Sequence, residues 1–176
     1  MTGFNGIFMA MKTDILAFGA HPDDIELSAA GTIAQQVANG KIVAIVDLTR
    51  GELGTRGSAQ IRDTEAEAAS KVLGLVKRVN LDLGDGFFEI NEASLLKVVE
   101  QIRFFKPEIV LANAIADRHP DHARGSELVK RAAFLSGLPK IATSLNGVAQ
   151  EAWRPKAVYH YIQDNFIEPH FVVDVT

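Results

Sequence analysis

Short apolar runs alternate with longer amphipathic stretches along most of the chain. The runs are continuous and rich in β-branched residues, which is typical of parallel strands buried on both faces. The longer stretches place apolar residues three or four positions apart and so predict helices. Strands are expected over 12–20, 41–48, 77–83, 108–113, 156–162 and 170–175. Helices are expected over 24–39, 58–73 and 93–105, and from about 122 to 136. This alternation predicts one doubly wound, Rossmann-like α/β domain over residues 1–176, with a mostly parallel sheet covered by helices on both faces.

The first predicted strand leads directly into a polar corner. An apolar run over 15–18 is followed by Gly-Ala and then by His21, Pro22, Asp23 and Asp24 at the start of a helix. Proline and carboxylates suit a first helical turn, because proline lacks an N–H and acids offset the helix dipole. Asp-Asp at a helix start is often only a cap. One imidazole and two carboxylates at the carboxyl end of a strand also resemble a metal site, since ligands bind there in open α/β sheets.

A second cluster, His119-Pro120-Asp121-His122, follows the apolar run at 108–113. Two strand ends that both close on His-Pro-Asp favour the functional interpretation of each. We therefore expect the two clusters to meet at the carboxyl ends of the strands and to form a metal site there.

Composition narrows the classes of function. The net charge of −4 and the lack of basic runs argue against nucleic-acid binding, and no apolar stretch is long enough to span a bilayer. The chain has no cysteine, so a metal would have to be held by His, Asp or Glu. Residues 1–11 have no basic start and are expected to be a disordered lead-in, not a signal peptide. A cytoplasmic location is the default expectation.

Catalytic zinc sites use three protein ligands and one open position for water. His21, Asp24 and His122 supply two imidazoles and one carboxylate, which leaves Asp23 beside the metal as a base for that water. His119 lies three residues before His122 and is expected to face the same cavity. As an imidazolium it could stabilise an oxyanion or protonate a leaving amine.

Asp121 has two interpretations at this spacing: it orients His119, or it caps the helix. A dinucleotide site is disfavoured, because the first strand is not followed by Gly-x-Gly-x-x-Gly and carboxylates would repel a pyrophosphate.

The two motifs together resemble the LmbE-like (PIG-L) family of zinc-dependent N-deacetylases. Further stretches are similar to the branch that deacetylates N-acetylglucosaminyl-malate in bacillithiol biosynthesis: 47–49, 51–57, 117–118 and 171–174. The resemblance implies His21, Asp24 and His122 as metal ligands, Asp23 as general base, and His119 as oxyanion stabiliser or acid. It also implies a small N-acetylated sugar as substrate, and a homo-oligomer is compatible with it. Chains of this branch usually continue beyond the strand predicted at 170–175, so the C-terminal part of the family domain is expected to be missing.

Two arginines, Arg56 and Arg118, flank the expected pocket from different loops. A malate group carries two carboxylates, and a guanidinium binds a carboxylate through two hydrogen bonds, so both arginines are candidate substrate ligands. The alternative is that Arg56 is a solvated loop residue and that Arg118 pairs with Asp117 or Asp121.

Two other classes of function remain open at this point. Two histidines and one carboxylate also describe the site of non-haem iron oxygenases, and Fe²⁺ could replace Zn²⁺ in a hydrolase. A non-catalytic module that binds a metal or a sugar is the third interpretation. An intact Asp23 argues against it, because metal binding alone needs no additional base.

Overall fold

The computed structural model describes residues 10–176. Seven strands form within this range: β1 (Ile15–Gly19), β2 (Val43–Asp47), β3 (Lys77–Asn80), β4 (Ile109–Ala112), β5 (Ser144–Leu145), β6 (Val148–Ala149) and β7 (Ala157–His160). The helices are α1 (Asp24–Ser28), α2 (Ala30–Ala38), α3 (Ala59–Leu73), α4 (Glu92–Phe105) and α5 (Pro120–Leu135). The main sheet has five strands in the order β3-β2-β1-β4-β7, and every neighbouring pair is parallel.

The central strand β1 shows why both faces of the sheet are covered. Its residues are all buried, and alternate side chains point to opposite faces. Leu16 and Phe18 pack into a core with residues of α4 and α5. Ile15 and Ala17 pack into a second core with residues of α1, α2 and α3. The predicted mostly parallel sheet with helices on both faces is confirmed.

Local signals explain several of the helix boundaries. The hydroxyl of Ser58 accepts a hydrogen bond from the Ile61 N–H and caps α3, and Gly74 ends that helix with a left-handed backbone (φ +68°). Asn91 caps α4 in the same way. The single helix predicted over 24–39 is instead two helices, because Ala29 leaves the helical conformation with φ −134°.

The strand predicted at 170–175 is wrong, since that segment is irregular in the structure. It runs over α2 and does not pair with the edge of the sheet. Val175 lies so close to Gly31 that a Cβ added there would be 3.2 Å from it, and the carbonyl of Asp174 accepts a hydrogen bond from Gln35. Contacts with a helix surface therefore replace the hydrogen-bond ladder that the apolar pattern predicted.

The predicted disordered lead-in over 1–11 lies mostly outside the described residues. Met11 is described: its N–H donates to the Phe104 carbonyl (2.9 Å) and its side chain packs against the core. Within residues 10–176, no helix has the length and apolar character that crossing a bilayer requires.

Candidate metal centre

The two His-Pro-Asp corners meet at the point where the order of the sheet reverses. From β1 the chain builds outward through β2 and β3, and then returns to place β4 on the other side of β1. In an open parallel sheet this crossover leaves a crevice at the carboxyl ends of the strands, where ligands bind. His21 to Asp24 lie where the loop after β1 enters α1, and His119 to His122 lie where the loop after β4 enters α5.

Asp24 lies between His21 and His122. Its Oδ1 is 3.0 Å from His122 Nε2, and its Oδ2 is 3.7 Å from His21 Nδ1. Asp24 and His21 are buried, and the side chain of His122 is only 13% exposed. The predicted ligands are thus brought together from the two corners, with one nitrogen of each imidazole facing the same carboxylate.

The other ring nitrogen of each histidine contacts a different carboxylate. His21 Nε2 is 3.0 Å from Asp85 Oδ1 and 3.4 Å from Asp121 Oδ2, and His122 Nδ1 is 3.0 Å from Asp117 Oδ1. Metal-binding histidines usually donate one N–H to such a carboxylate, which leaves the other nitrogen unprotonated for the metal. The arrangement of His21, Asp24 and His122 therefore suits a divalent ion with nitrogen and oxygen ligands, such as Zn²⁺.

Within residues 10–176, two triplets bring ligand atoms within 4.8 Å of one another, and neither includes Asp24: His21, His119 and His122, and His21, Asp85 and Asp121. In the second triplet the carboxylates already accept hydrogen bonds. Asp85 accepts from the Leu53 N–H (2.9 Å), and Asp121 accepts from the Gly86 N–H and from Arg124. Asp85 and Asp121 thus contact His21 while they are themselves held by neighbouring groups.

The carboxylates around the histidines change their proton affinities. Burial opposes the protonation of His21, but Asp24, Asp85 and Asp121 outweigh it and raise its pKa to about 9. Burial would raise the pKa of Asp24, but the imidazole of His122 at 3.0 Å and the nearby imidazole of His21 lower it far below its usual value. Burial likewise opposes the charging of His122, and Asp24 and Asp117 raise its pKa. Positive charge is thus stabilised at this point, as a site for a cation requires.

Asp23, the predicted base, lies at the N-terminus of α1, and its side chain is 53% exposed. Arg62 of α3 reaches it, with Nη2 3.0 Å from Asp23 Oδ2, and also donates to the Gly51 carbonyl (3.1 Å). A Cβ at position 51 would lie 2.4 Å from Arg62 Nη1, and the φ of +61° also favours glycine. The glycine-rich loop after β2 therefore gives Arg62 room to contact Asp23.

His119 caps α5, and its Nδ1 accepts a hydrogen bond from the Asp121 N–H (3.3 Å). Its ring centroid is 4.7 Å from that of His21 and 5.0 Å from that of His122. Burial, together with the nearby imidazoles of His21 and His122, lowers the pKa of His119 and favours its neutral form. An accepting Nδ1 places the ring hydrogen on Nε2, which can donate to a developing oxyanion.

The carboxylate of Asp121 does not contact His119 in this structure. It is fully buried, accepts hydrogen bonds from the Gly86 N–H (2.8 Å) and Arg124 Nη1 (2.7 Å), and faces His21. Only its backbone N–H reaches His119. The Asp121 carboxylate thus contacts His21 of the first corner and not His119 of its own corner.

The two predicted substrate arginines are both exposed. Arg118 pairs with Asp164, which is 3.1 Å away, and not with Asp117 or Asp121 as considered from the sequence. Arg56 lies in the glycine-rich loop that ends at α3.

Sequence reasoning missed several residues that build the site: Asp85, Arg62, Asp117, Asn113 and Gln163. Asp85 lies between two glycines, a pattern that predicts only a turn. Asn113 directly follows β4, so its place at a strand end was the one signal that could have identified it. Arg62 and Gln163 carry no local signal, because long-range packing alone brings them to Asp23 and Asp24.

Comparison with known proteins identifies relatives. The chain is 34% identical over 119 residues to the uncharacterized deacetylase YaiS of Escherichia coli (strain K12), covering 63% of each protein. It is 28% identical over 172 residues to diacetylchitobiose deacetylase of Thermococcus kodakarensis, covering 92% of this chain and 63% of the relative. A 4-oxalmesaconate hydratase of Pseudomonas putida is 27% identical over 134 residues, covering 69% of this chain and 52% of the relative. The aligned part of the chain thus spans less than two thirds of the length of each relative.

The crystal structure of a conserved protein from Thermus thermophilus is similar in fold, with a TM-score of 0.85 and 37% identity, and covers 93% of this chain and 72% of that one. Residues 16–133 match the sequence model of the family described as PIG-L: GlcNAc-PI de-N-acetylase, and this range contains both His-Pro-Asp corners. The chain therefore belongs to the PIG-L family.

Proposed function

We propose that this chain is a metal-dependent deacetylase of N-acetylated sugars. The observation that carries the proposal is the arrangement of His21, Asp24 and His122, with each histidine held by a further carboxylate and with Asp23 left beside them. Membership of the PIG-L family and the relatives named as deacetylases support it.

His21, Asp24 and His122 would hold the metal, which we propose to be Zn²⁺. A bound Zn²⁺ lowers the pKa of its water to about 7 and polarises a carbonyl group. Fe²⁺ would suit the same ligands.

Asp23 is proposed as the general base that takes a proton from the attacking water. Its carboxylate is exposed and pairs with Arg62 Nη2 at 3.0 Å. A base must lie within hydrogen-bond reach of the proton that it abstracts, so this proposal requires the Asp23 carboxylate to reach the attacking water.

His119 is proposed to stabilise the oxyanion that forms when water adds to the acetyl carbonyl. Its neutral form, with the hydrogen on Nε2, donates one hydrogen bond to that oxygen. We propose this neutral form in place of the imidazolium, because the burial of His119 and the two neighbouring imidazoles lower its pKa. Asp121 is proposed to act indirectly, because its carboxylate contacts His21 and so orients that ligand.

We further propose N-acetylglucosaminyl-malate as the substrate, with the malate carboxylates bound by Arg118 and Arg56. Both arginines are exposed in the loops after β4 and β2. Arg118 would exchange Asp164 for a substrate carboxylate.

The test is release of free amine from N-acetylglucosaminyl-malate, diacetylchitobiose and N-acetylglucosamine, each with added Zn²⁺ and after chelation. We expect metal-dependent amine release, fastest with the malate glycoside, and loss of release in Asp23→Asn. Equal rates with and without chelator would contradict metal dependence. Faster release from diacetylchitobiose would keep the deacetylase and reject the malate substrate.

A hydratase is the second candidate, because one relative is a 4-oxalmesaconate hydratase. That reaction adds water to a double bond and releases no amine. Incubation with an unsaturated dicarboxylate, followed by its ultraviolet absorbance, separates the two activities.

A further inference from the structure

The segment that follows β7, residues 161–164, crosses the strand ends beside the candidate metal centre. The Tyr161 N–H donates to the Ala112 carbonyl (3.0 Å), and the Tyr161 hydroxyl donates to the Phe18 carbonyl (2.9 Å). The segment is thus attached to the ends of both β4 and β1. It also lies outside residues 16–133, the part of the chain that the family model matches.

Gln163 connects this segment to Asp24. Its Nε2 donates to Asp24 Oδ1 (3.2 Å), while its Oε1 accepts from Asn113 Nδ2 (3.0 Å) and the Ala114 N–H (3.2 Å). Asn113 Nδ2 also lies 2.9 Å from Asp24 Oδ2. Each carboxylate oxygen of Asp24 is therefore held by an amide, and one of those amides belongs to the segment after β7.

Asp117 connects the same segment to His122. Its Oδ2 accepts from the Asp164 N–H (2.9 Å), and its Oδ1 faces His122 Nδ1 (3.0 Å) and accepts from the His119 N–H (3.0 Å). The Asp117 side chain is only 1% exposed. A carboxylate at Nδ1 keeps one hydrogen of the His122 ring on that atom, so that Nε2 would be the nitrogen that binds a metal.

We propose that Gln163 and Asp117 are positioning residues: joined through residues 161–164, they hold Asp24 and His122 in the arrangement that binds the metal. The inference rests on the metal-ligand assignment of the proposed function. It adds that the site depends on a segment 30 residues beyond the end of the family match at residue 133.

A purely structural role for both residues has different consequences. If Asp117 served only to shape its loop, Asn would replace it, because an Asn side-chain oxygen also accepts a backbone N–H two residues on. In our proposal Asn is insufficient. One oxygen of Asp117 accepts from the Asp164 N–H, and the other contacts His122 Nδ1 and the His119 N–H, whereas Asn has only one side-chain oxygen.

The experiment measures the Zn²⁺ affinity of the full chain by competition with a chromophoric chelator. It also records the visible absorption of the Co²⁺-loaded protein, which reports ligand geometry. The variants are Gln163→Met, which keeps the length of the side chain, and Asp117→Asn. We expect each to bind Zn²⁺ roughly 10–100-fold more weakly than the wild type and to change the Co²⁺ spectrum.

Matched controls are Gln60→Met on α3 and Asp174→Asn, both at exposed positions away from the site. These should keep the affinity and the spectrum of the wild type. Urea unfolding of the metal-free variants separates positioning from stability, because a merely structural role lowers the free energy of unfolding without changing the Co²⁺ spectrum.

The outcomes are distinct. Wild-type affinity and spectrum in both variants would overturn the inference and leave the proposed function intact. Loss of stability with an unchanged spectrum would also overturn it. A wild-type chain that takes up no metal would overturn the proposed function, and this inference with it.

Discussion

The two His-Pro-Asp corners use the same three residue types in different ways. In the first corner His21 and Asp24 are buried, whereas Asp23 is exposed and pairs with Arg62. In the second corner Asp121, the third residue, is fully buried and holds His21 and Arg124. Asp23, which the proposed chemistry needs, is therefore exposed, whereas Asp121, the corresponding residue of the second corner, is buried.

The difference follows from where each helix begins. In the first corner α1 begins at Asp24, so Asp23 is its N-cap residue. In the second corner α5 begins at Pro120, so His119 is the N-cap residue and Asp121 lies in the first turn. A shift of two residues in the helix start turns the same tripeptide by about 200°, a little more than half a helical turn. A motif thus specifies chemistry only together with its place in the helix.

The largest effect should come from the residue that joins the corners. His122→Ala removes the imidazole that faces Asp24 at 3.0 Å, and about one bound metal per chain should be lost together with activity. Elemental analysis of the purified protein checks this. Unchanged metal content in His122→Ala would remove His122 from the ligand set.

The variant Asp23→Asn tests whether Asp23 is a general base or a metal ligand. We expect the metal content to stay and kcat to fall by ~10²–10⁴-fold, which is the usual contribution of a general base. The free energy of unfolding should change by only about 0.5 kcal/mol, because the residue is exposed. Loss of metal in this variant would instead make Asp23 a ligand.

Asp121→Ala tests the corresponding residue of the second corner, where the aspartate is buried. It leaves the Gly86 N–H and Arg124 without the carboxylate that they contact, so the unfolding free energy should fall by ~1–3 kcal/mol. Urea denaturation of the metal-free protein measures this. A stability equal to that of the wild type would show that burial of Asp121 does not distinguish the two corners.

The fold was largely predictable, because its signals are local and repeated. Buried β-branched runs and amphipathic stretches alternate, so the parallel sheet and its two helical layers follow from pattern alone. The strand predicted at 170–175 failed for a reason that pattern cannot report: Val175 and Asp174 contact α2. Apolar periodicity shows that a segment packs against something, but it does not show which partner.

The candidate site was predictable only where residues follow strand ends in recognisable motifs. His21, Asp24 and His122 do so, and the structure brings them together. Arg62 comes from the middle of α3, and Gln163 comes from a loop near the end of the chain. Both reach the site through tertiary packing over 39 and 139 positions of sequence, so no local pattern marks them. Asp85 was visible as a turn residue, but its contact with His21 depends on the pairing of β3 with β2.

The smallest effect concerns Arg118, just before the second corner. Its guanidinium is 76% exposed and pairs with Asp164, so solvent screening makes that pair weak, and Arg118→Ala should leave the free energy of unfolding within about 0.5 kcal/mol of the wild type. If Arg118 binds the malate group, its loss should lower kcat/KM for the malate glycoside by ~5–30-fold, equivalent to about 1–2 kcal/mol, and leave the neutral N-acetylglucosaminide almost unchanged. The partner variant Asp164→Asn frees Arg118 from its ion pair, so it should raise kcat/KM for the malate glycoside slightly. Steady-state kinetics on both substrates decide the matter. Equal losses of kcat/KM on the two substrates in Arg118→Ala would indicate that Arg118 shapes its loop and does not bind the substrate.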